Sequence, residues 1–270
     1  MKKAITLILF LVSIIIYSQE KTYTDKEISQ KLDSITAEGN LLYSLENASW
    51  HSNDIARSKK EIRGLIGHYL TYQSNDTVKT VFLNKLGNQI IAEYSFVKNE
   101  KTPVKEKVSM RPLNQRETDL ITIRQKLIAQ FADPQYQVSV PDGFNLNIIT
   151  IPFDEKYKTY LIPGTSDSSI IPFGNDYLFI TDAQGNISKH QKIHSRLIPT
   201  MTNLGEEKTL TMSTHSHLID NPFISATDIC TFKLYAHFSK LTKFSVYSKA
   251  LGSYLEYDLV KNKIFKVDKP

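Results

Sequence analysis

The chain is poor in the residues that staple or punctuate unusual folds. It has one cysteine, Cys230, in 270 residues. An internal disulfide is therefore excluded, and so is a metal site with two or more thiolate ligands. Glycine and proline number ten each, too few for a collagen-like or low-complexity chain. Beyond the N-terminal segment no apolar run reaches membrane-spanning length, so no transmembrane segment is expected in the mature chain. There is no internal repeat. Net charge is also scarce: 33 basic and 28 acidic residues leave +5. That is a mildly basic surface, not the footprint of a nucleic-acid partner. No G-x-S-x-G is present, which removes the serine-hydrolase elbow. The Gly/Ser-rich stretch at residues 162–168 lacks the lysine and the spacing of a phosphate-binding loop and reads as a turn.

What is present is an ordinary globular composition, 41% hydrophobic and 23% charged, in a chain long enough for one large domain or two small ones. Lys2 and Lys3 precede an almost wholly apolar run over residues 4–16, and Tyr17, Ser18 and Gln19 lead into polar sequence. This pattern predicts a signal peptide over residues 1–19, cleaved after Ser18 or Gln19. The mature protein is expected to be exported, periplasmic or secreted. A lone thiol in an oxidising compartment is best buried, and Cys230 is expected in the core.

The hydrophobic period predicts an α+β protein. Residues 24–60 read as helical, opened by the capping sequence Thr24-Asp25-Lys26-Glu27 and broken at Gly39, with a second helix over residues 53–66. From Gly67 the period shortens. Residues 68–72, 77–83 and 89–97 predict a three-stranded antiparallel meander, and residues 98–107 a charged loop or linker. A helix follows over residues 114–132. Strands are then predicted over 144–153, 157–162, 177–181, 192–198 and 209–215, a helix over 225–238, and two last strands over 243–248 and 253–260. The expected division is a helix-plus-meander region at residues 20–110 and a second domain, a mixed sheet with flanking helices, at residues 111–270.

Among seven histidines, His51 and His68 stand alone and read as surface or core residues. His194-Ser195 lies on a predicted strand, where adjacent side chains face opposite ways, so it is not read as a nucleophile pair. His215 and His217 are two apart, which on a strand turns both rings to one face. Asp228 follows eleven residues after His217. Ser225 fits a helix N-cap and places Asp228 in the first turn. A strand-end pair of imidazoles and a carboxylate at a helix start can close three ligands on one ion. Two nitrogens and one oxygen suit zinc, with a fourth position left open for chemistry.

The order His215-Ser216-His217, seven residues, Ser225, two residues, Asp228 resembles the H-x-H-x7-S-x2-D core of the JAMM (MPN-type) metalloproteases, which the RadC-type bacterial proteins share. The resemblance covers roughly residues 144–267. It implies that His215, His217 and Asp228 bind zinc, and that Ser225 helps stabilise the oxyanion of a tetrahedral intermediate. The family places Pro after the second histidine, where this chain has Leu218. It also places a glutamate on an earlier strand as general base. Here Asp176 falls at that point, beside Gly174 and Asn175, and Glu155 on the preceding strand is the other candidate. The resemblance implies an exported zinc-dependent hydrolase of peptide or isopeptide-like amide bonds, acting on a peptide or protein substrate. The alternative is a non-catalytic binding or scaffold module of the cell envelope that keeps the same fold without a working base.

Overall fold

The structure is a computed structural model and describes residues 23–202, 210 and 212–270. The predicted signal peptide lies outside the described residues, as does the start of the strand predicted over 209–215. The protein is α+β, as the periodicity predicts. The first element, α1 (Asp25–Ser58), is a single 34-residue helix. It starts where its sequence says: the Thr24 hydroxyl accepts from the Glu27 amide, and the Glu27 carboxylate accepts from the Thr24 amide. Gly39 does not break it. A Cβ on Gly39 would lie 2.7 Å from the Ile229 Cβ, so the glycine is a point of close helix–helix approach. The second helix predicted over 53–66 does not form. The helix ends at Ser58, a turn follows, and β1 begins at Ile66.

The meander has four strands, not three: β1 (Ile66–Ser74), β2 (Thr77–Asn84), β3 (Gln89–Val97) and β4 (Lys105–Pro112), paired antiparallel in that order. The predicted linker therefore shrinks to residues 98–104. Strand β4 hides from a periodicity reading because it is an edge strand with its Lys and Glu side chains exposed. Helix α2 (Gln115–Gln130) is capped by Asn114, whose side chain accepts from the Glu117 amide. The Glu117 carboxylate is fully buried. It is held by Arg111 at 2.7 and 2.8 Å and by the Tyr72 hydroxyl at 2.7 Å, and Arg111 also reaches Glu93. This network fixes α2 to the first sheet.

The rest of the chain builds three further sheets. Strands β5 (Asn145–Phe153), β6 (Lys156–Gly164), β8 (Tyr177–Thr181) and β9 (Ile187–Lys192) form an antiparallel sheet in the order β5-β6-β8-β9. Strand β7 (Ile170–Gly174) leaves this series and pairs with β10 (Leu197–Met201). The single strand predicted over 192–198 is thus two strands separated by a bend at residues 193–196. Last, β11 (Ser213–His217) lies parallel to β12 (Lys243–Ser248), and β12, β13 (Ser253–Asp258) and β14 (Lys263–Val267) continue antiparallel. Strands β7 and β14 are not foreseen in the sequence.

Helix α3 (Ala226–Tyr235) is buried on nearly all sides. It packs on α1 along one face and on β7 along another. One hydrophobic core runs from Ile28 and Leu42 on α1, through Phe82 and Phe173, to Phe232, Phe244 and Ile264. Cys230 is fully buried in it, and burial followed by the nearby Glu46 carboxylate pushes its thiol well above the ordinary value. It is a small core residue rather than a reactive one.

Candidate metal centre

Three segments converge at the N-terminal end of α3. Strand β11 delivers His215 and His217 to the same side, as the period of two requires. Ser225 caps α3 and puts Asp228 at its third position. The third segment is the bend at residues 193–196, which contributes His194. Its placement depends on a tight turn on the facing segment. Gly174 and Asn175 both have positive φ, at 75° and 47°. A Cβ on Gly174 would lie 2.3 Å from the Arg196 carbonyl oxygen, so only glycine allows the two segments to meet. The Asn175 amide donates to Arg196 O at 2.9 Å, and the Ile193 amide to Asp176 O at 2.9 Å. The bend is thereby pinned with His194 facing inward.

The result is a buried cluster of three imidazoles and one carboxylate, His194, His215, His217 and Asp228, each offering one ligand atom within 4.8 Å of the others. The Nε2 atoms of His194 and His217 are 2.7 Å apart, and those of His215 and His217 are 3.3 Å apart. Asp228 Oδ1 lies 3.5 Å from Nε2 of both His194 and His215, and Oδ2 lies 3.3 Å from His217 Nε2. Ligands about 2.0–2.1 Å from a tetrahedral zinc stand roughly 3.3 Å from one another. With Oδ1 as the carboxylate ligand, three of the four separations lie near that edge, and the His194–His217 distance is short.

The tautomers point the same way. His194 Nδ1 is 2.6 Å from Asp176 Oδ1, and His217 Nδ1 is 2.6 Å from the Phe223 carbonyl oxygen. Both partners accept, so both Nδ1 atoms carry the hydrogen and both Nε2 atoms present lone pairs. Two lone pairs facing each other at 2.7 Å are tolerable only with a cation between or beside them, either a proton or a metal ion. Asp228 Oδ1, also buried, has no hydrogen-bond partner among the described residues, while Oδ2 accepts from the Ser225 amide and hydroxyl at 2.9 and 2.7 Å. One oxygen is held and the other is left for a ligand role. The residues fit a metal ion, and the cluster can hold one.

The electrostatics show what the cluster does without one. Burial opposes a charge on His194, but the Asp176 and Asp228 carboxylates outweigh it and push the ring up to about 9. His215 moves the other way, lowered by burial, with Asp228 opposing. Burial also works against the Asp228 charge, yet the three histidines hold it well below the usual carboxylate range.

The residues singled out in the sequence are not all brought together. His215, His217, Ser225 and Asp228 meet as expected. Asp176 is adjacent, but it does not face the space among the ligands. One oxygen accepts from His194 Nδ1 and the backbone amide of His194, and the other from the Thr227 hydroxyl. It stands behind a ligand and orients it. Glu155 is not brought in at all. It is exposed at the β5–β6 hairpin tip, six residues along the strand from Leu161, whose partner Tyr177 adjoins Asp176. At about 3.3 Å per residue that is roughly 20 Å away. The Ser225 hydroxyl hydrogen is directed at Asp228 Oδ2, so this side chain caps the helix and steadies a ligand.

Sequence reasoning missed His194, because its strand was drawn straight through the bend that turns the ring inward. It also missed Glu38 on α1. Its carboxylate accepts from Lys158 Nζ at 2.9 and 3.0 Å and from the Tyr160 hydroxyl, and it shares a cavity of about 180 Å³ with Ser225. A separate cavity of about 350 Å³, lined by His194, Arg196, His215, His217 and Leu218, opens on the cluster from the other strands. Comparison with protein-family models, curated proteins and solved structures finds no match to this chain.

Proposed function

We propose that this chain is an exported zinc protein in which His194, His215, His217 and Asp228 supply all four ligands, and that the closed centre carries a binding or scaffold module of the cell envelope. The observation that carries this reading is His194 at the corner where the JAMM-like pattern leaves a position open. Four protein ligands are the mark of a structural zinc site, whereas catalytic sites keep a position for water or substrate. Three imidazoles and a carboxylate without thiolate suit zinc among the common ions, and the carboxylate–histidine pair Asp176–His194 is the usual outer support of such a ligand. The Lys2–Lys3 n-region and the apolar run after it support export.

A second reading, a zinc-dependent hydrolase of peptide or isopeptide-like amide bonds, is favoured by the cavity of about 350 Å³ that reaches His194, His215 and His217. A bound ion would there polarise a carbonyl and make water more acidic. This chain's own residues would hold the ion, and Glu38, which shares a separate cavity with Ser225, would be a further carboxylate to test. The deciding experiment is metal analysis of residues 20–270 by elemental mass spectrometry, with X-ray absorption at the zinc edge. One zinc per chain with three imidazoles, and no cleavage of generic peptide or isopeptide substrates, supports the closed centre. Two imidazoles with measurable hydrolysis supports the second reading. No metal after zinc loading and removal of the excess sinks both.

A further inference from the structure

At the opposite end of α3 from the histidine cluster, about 10 Å along the helix axis from Asp228 to Tyr235, the surface opens into a cavity of about 470 Å³. That volume is within the roughly 300–1,000 Å³ of small-ligand sites. Its walls are aromatic: Trp50 on α1, Tyr69 on β1, and Tyr235 and Phe238 at the end of α3. The walls are fixed from behind. Trp50 Nε1 donates to Glu46 at 2.9 Å, and the Trp50 ring meets Tyr235 edge-on with centroids 5.2 Å apart. The Tyr235 hydroxyl accepts from the Thr165 amide at 2.9 Å and donates to the Thr165 carbonyl at 3.1 Å. The polar ends of both rings are spent on the protein; buried Tyr235 backs Trp50, and Trp50, Tyr69 and Phe238 leave apolar surface to the cavity.

The rim is the reverse. The Asp54 carboxylate, the Asn53 side-chain oxygen and the hydroxyls of Ser166 and Ser168 have no hydrogen-bond partner among the described residues. Four free acceptors, two of them also donors, therefore surround a pre-organised aromatic floor. Asp54 is the one charged residue among the described lining residues. Lys101 acts on both His51 and His237, which burial first and then this cation lower from their ordinary values. The lining sets one carboxylate against several hydroxyl and amide groups, a set matched to an uncharged, hydroxyl-rich ligand.

We propose that this cavity is a saccharide-binding site, sized for one or two sugar rings. A pyranose has one face of C–H groups, whose positive edges suit the negative face of an aromatic ring. Its hydroxyls need acceptors and donors at the periphery, which Asp54, Asn53 and the Ser166 and Ser168 hydroxyls offer. The site lies apart from the metal cluster and does not depend on how that cluster is used.

Trp50 is the only tryptophan of the chain, so its fluorescence reports on this cavity alone. The test titrates the mature protein with cellobiose, maltose and di-N-acetylchitobiose, with choline as the cationic probe. The expected result is a saturable change in Trp50 emission with at least one saccharide. Affinity should fall about tenfold or more in Asp54→Ala, which leaves sugar hydroxyls unpaired, and also fall in Phe238→Ala. Both residues are exposed, and far-UV circular dichroism checks that the variants fold. No saturable response to any of the three sugars overturns the proposal. So does a response to choline alone, or a saccharide response that both variants retain.

Discussion

Asp176 supports His194 from behind the cluster: one carboxylate oxygen lies 2.6 Å from Nδ1, and the other takes the Thr227 hydroxyl. The pair fixes the His194 tautomer and aims Nε2 at the other ligands. Asp176→Asn keeps the shape but loses the charge and one acceptor. Metal affinity is expected to fall about 10- to 100-fold, the usual cost of losing such a partner, while the far-UV spectrum is unchanged. Competition with a chelator of known affinity measures this. Equal affinity in the two proteins would remove Asp176 from any role in holding the site.

Protons and metal compete for His194. In the metal-free chain its ring is pushed up to about 9, burial opposing and the Asp176 and Asp228 carboxylates prevailing. Because the folded value is raised, this group's contribution to metal-free stability is fully present below about pH 6.5 and is lost as pH rises through 9. Metal binding has the opposite sign, since it must expel that proton. The apparent zinc affinity should rise about tenfold per pH unit between pH 6.5 and 9 and then level off. Zinc titrations at a series of pH values check this. A flat profile would mean that His194 is not a ligand.

Glu46 gives a pH effect of its own. It is buried on α1 and accepts from Trp50, and burial, partly offset by the Trp50 hydrogen bond and Arg124, pushes it up to about 7. A carboxyl raised in the folded state contributes its stability below about pH 4.5 and loses it as pH rises through 7. Glu46→Gln keeps an oxygen for Trp50 and cannot ionise. The variant should therefore be more stable than the parent at pH 8, by about 3 kcal/mol for a shift of this size, and nearly equal at pH 4.5. Urea denaturation at the two pH values tests the sign. A destabilised variant at pH 8 would mean that the charged form is favoured.

Local chemistry made much of this molecule readable. The Thr24–Glu27, Asn114–Glu117 and Ser225–Asp228 caps mark helix starts through adjacent residues, and the strand period brings His215 and His217 to one face. What escaped depends on distant partners. Gly39 reads as a helix break because glycine disfavours helices, yet its neighbour is Ile229, far away in sequence, and tertiary packing outweighs propensity. His194 reads as a strand residue because nothing local announces the bend; the bend is imposed by the turn at Gly174 and Asn175 on the facing segment. Glu155 looked plausible by sequence distance alone, and strand register put it at the wrong end of its hairpin. The metal-ligand pattern was legible because three ligands lie within fourteen residues, and the fourth was not.

The Gly39–Ile229 approach also makes a prediction that links fold and site. In a helix interior, alanine is favoured over glycine by about 1 kcal/mol, so an isolated α1 would gain from Gly39→Ala. In the folded protein the new methyl group would lie 2.7 Å from Ile229 Cβ, 2.9 Å from its Cγ2 and 3.1 Å from Ala226 O, all on the buried first turns of α3. None of these atoms is the free end of a flexible side chain, so the helices must separate. Overpacking of this kind costs about 1–3 kcal/mol, and the net expectation is a loss of stability in urea. Asp228 adjoins Ile229, so the same shift moves a ligand and zinc affinity should fall with it. Gly64→Ala is the control, since a Cβ there meets nothing within 4 Å. A Gly39→Ala protein as stable as its parent, with zinc affinity unchanged, would show that α1 does not set the position of α3 and that the centre is held by the strands alone.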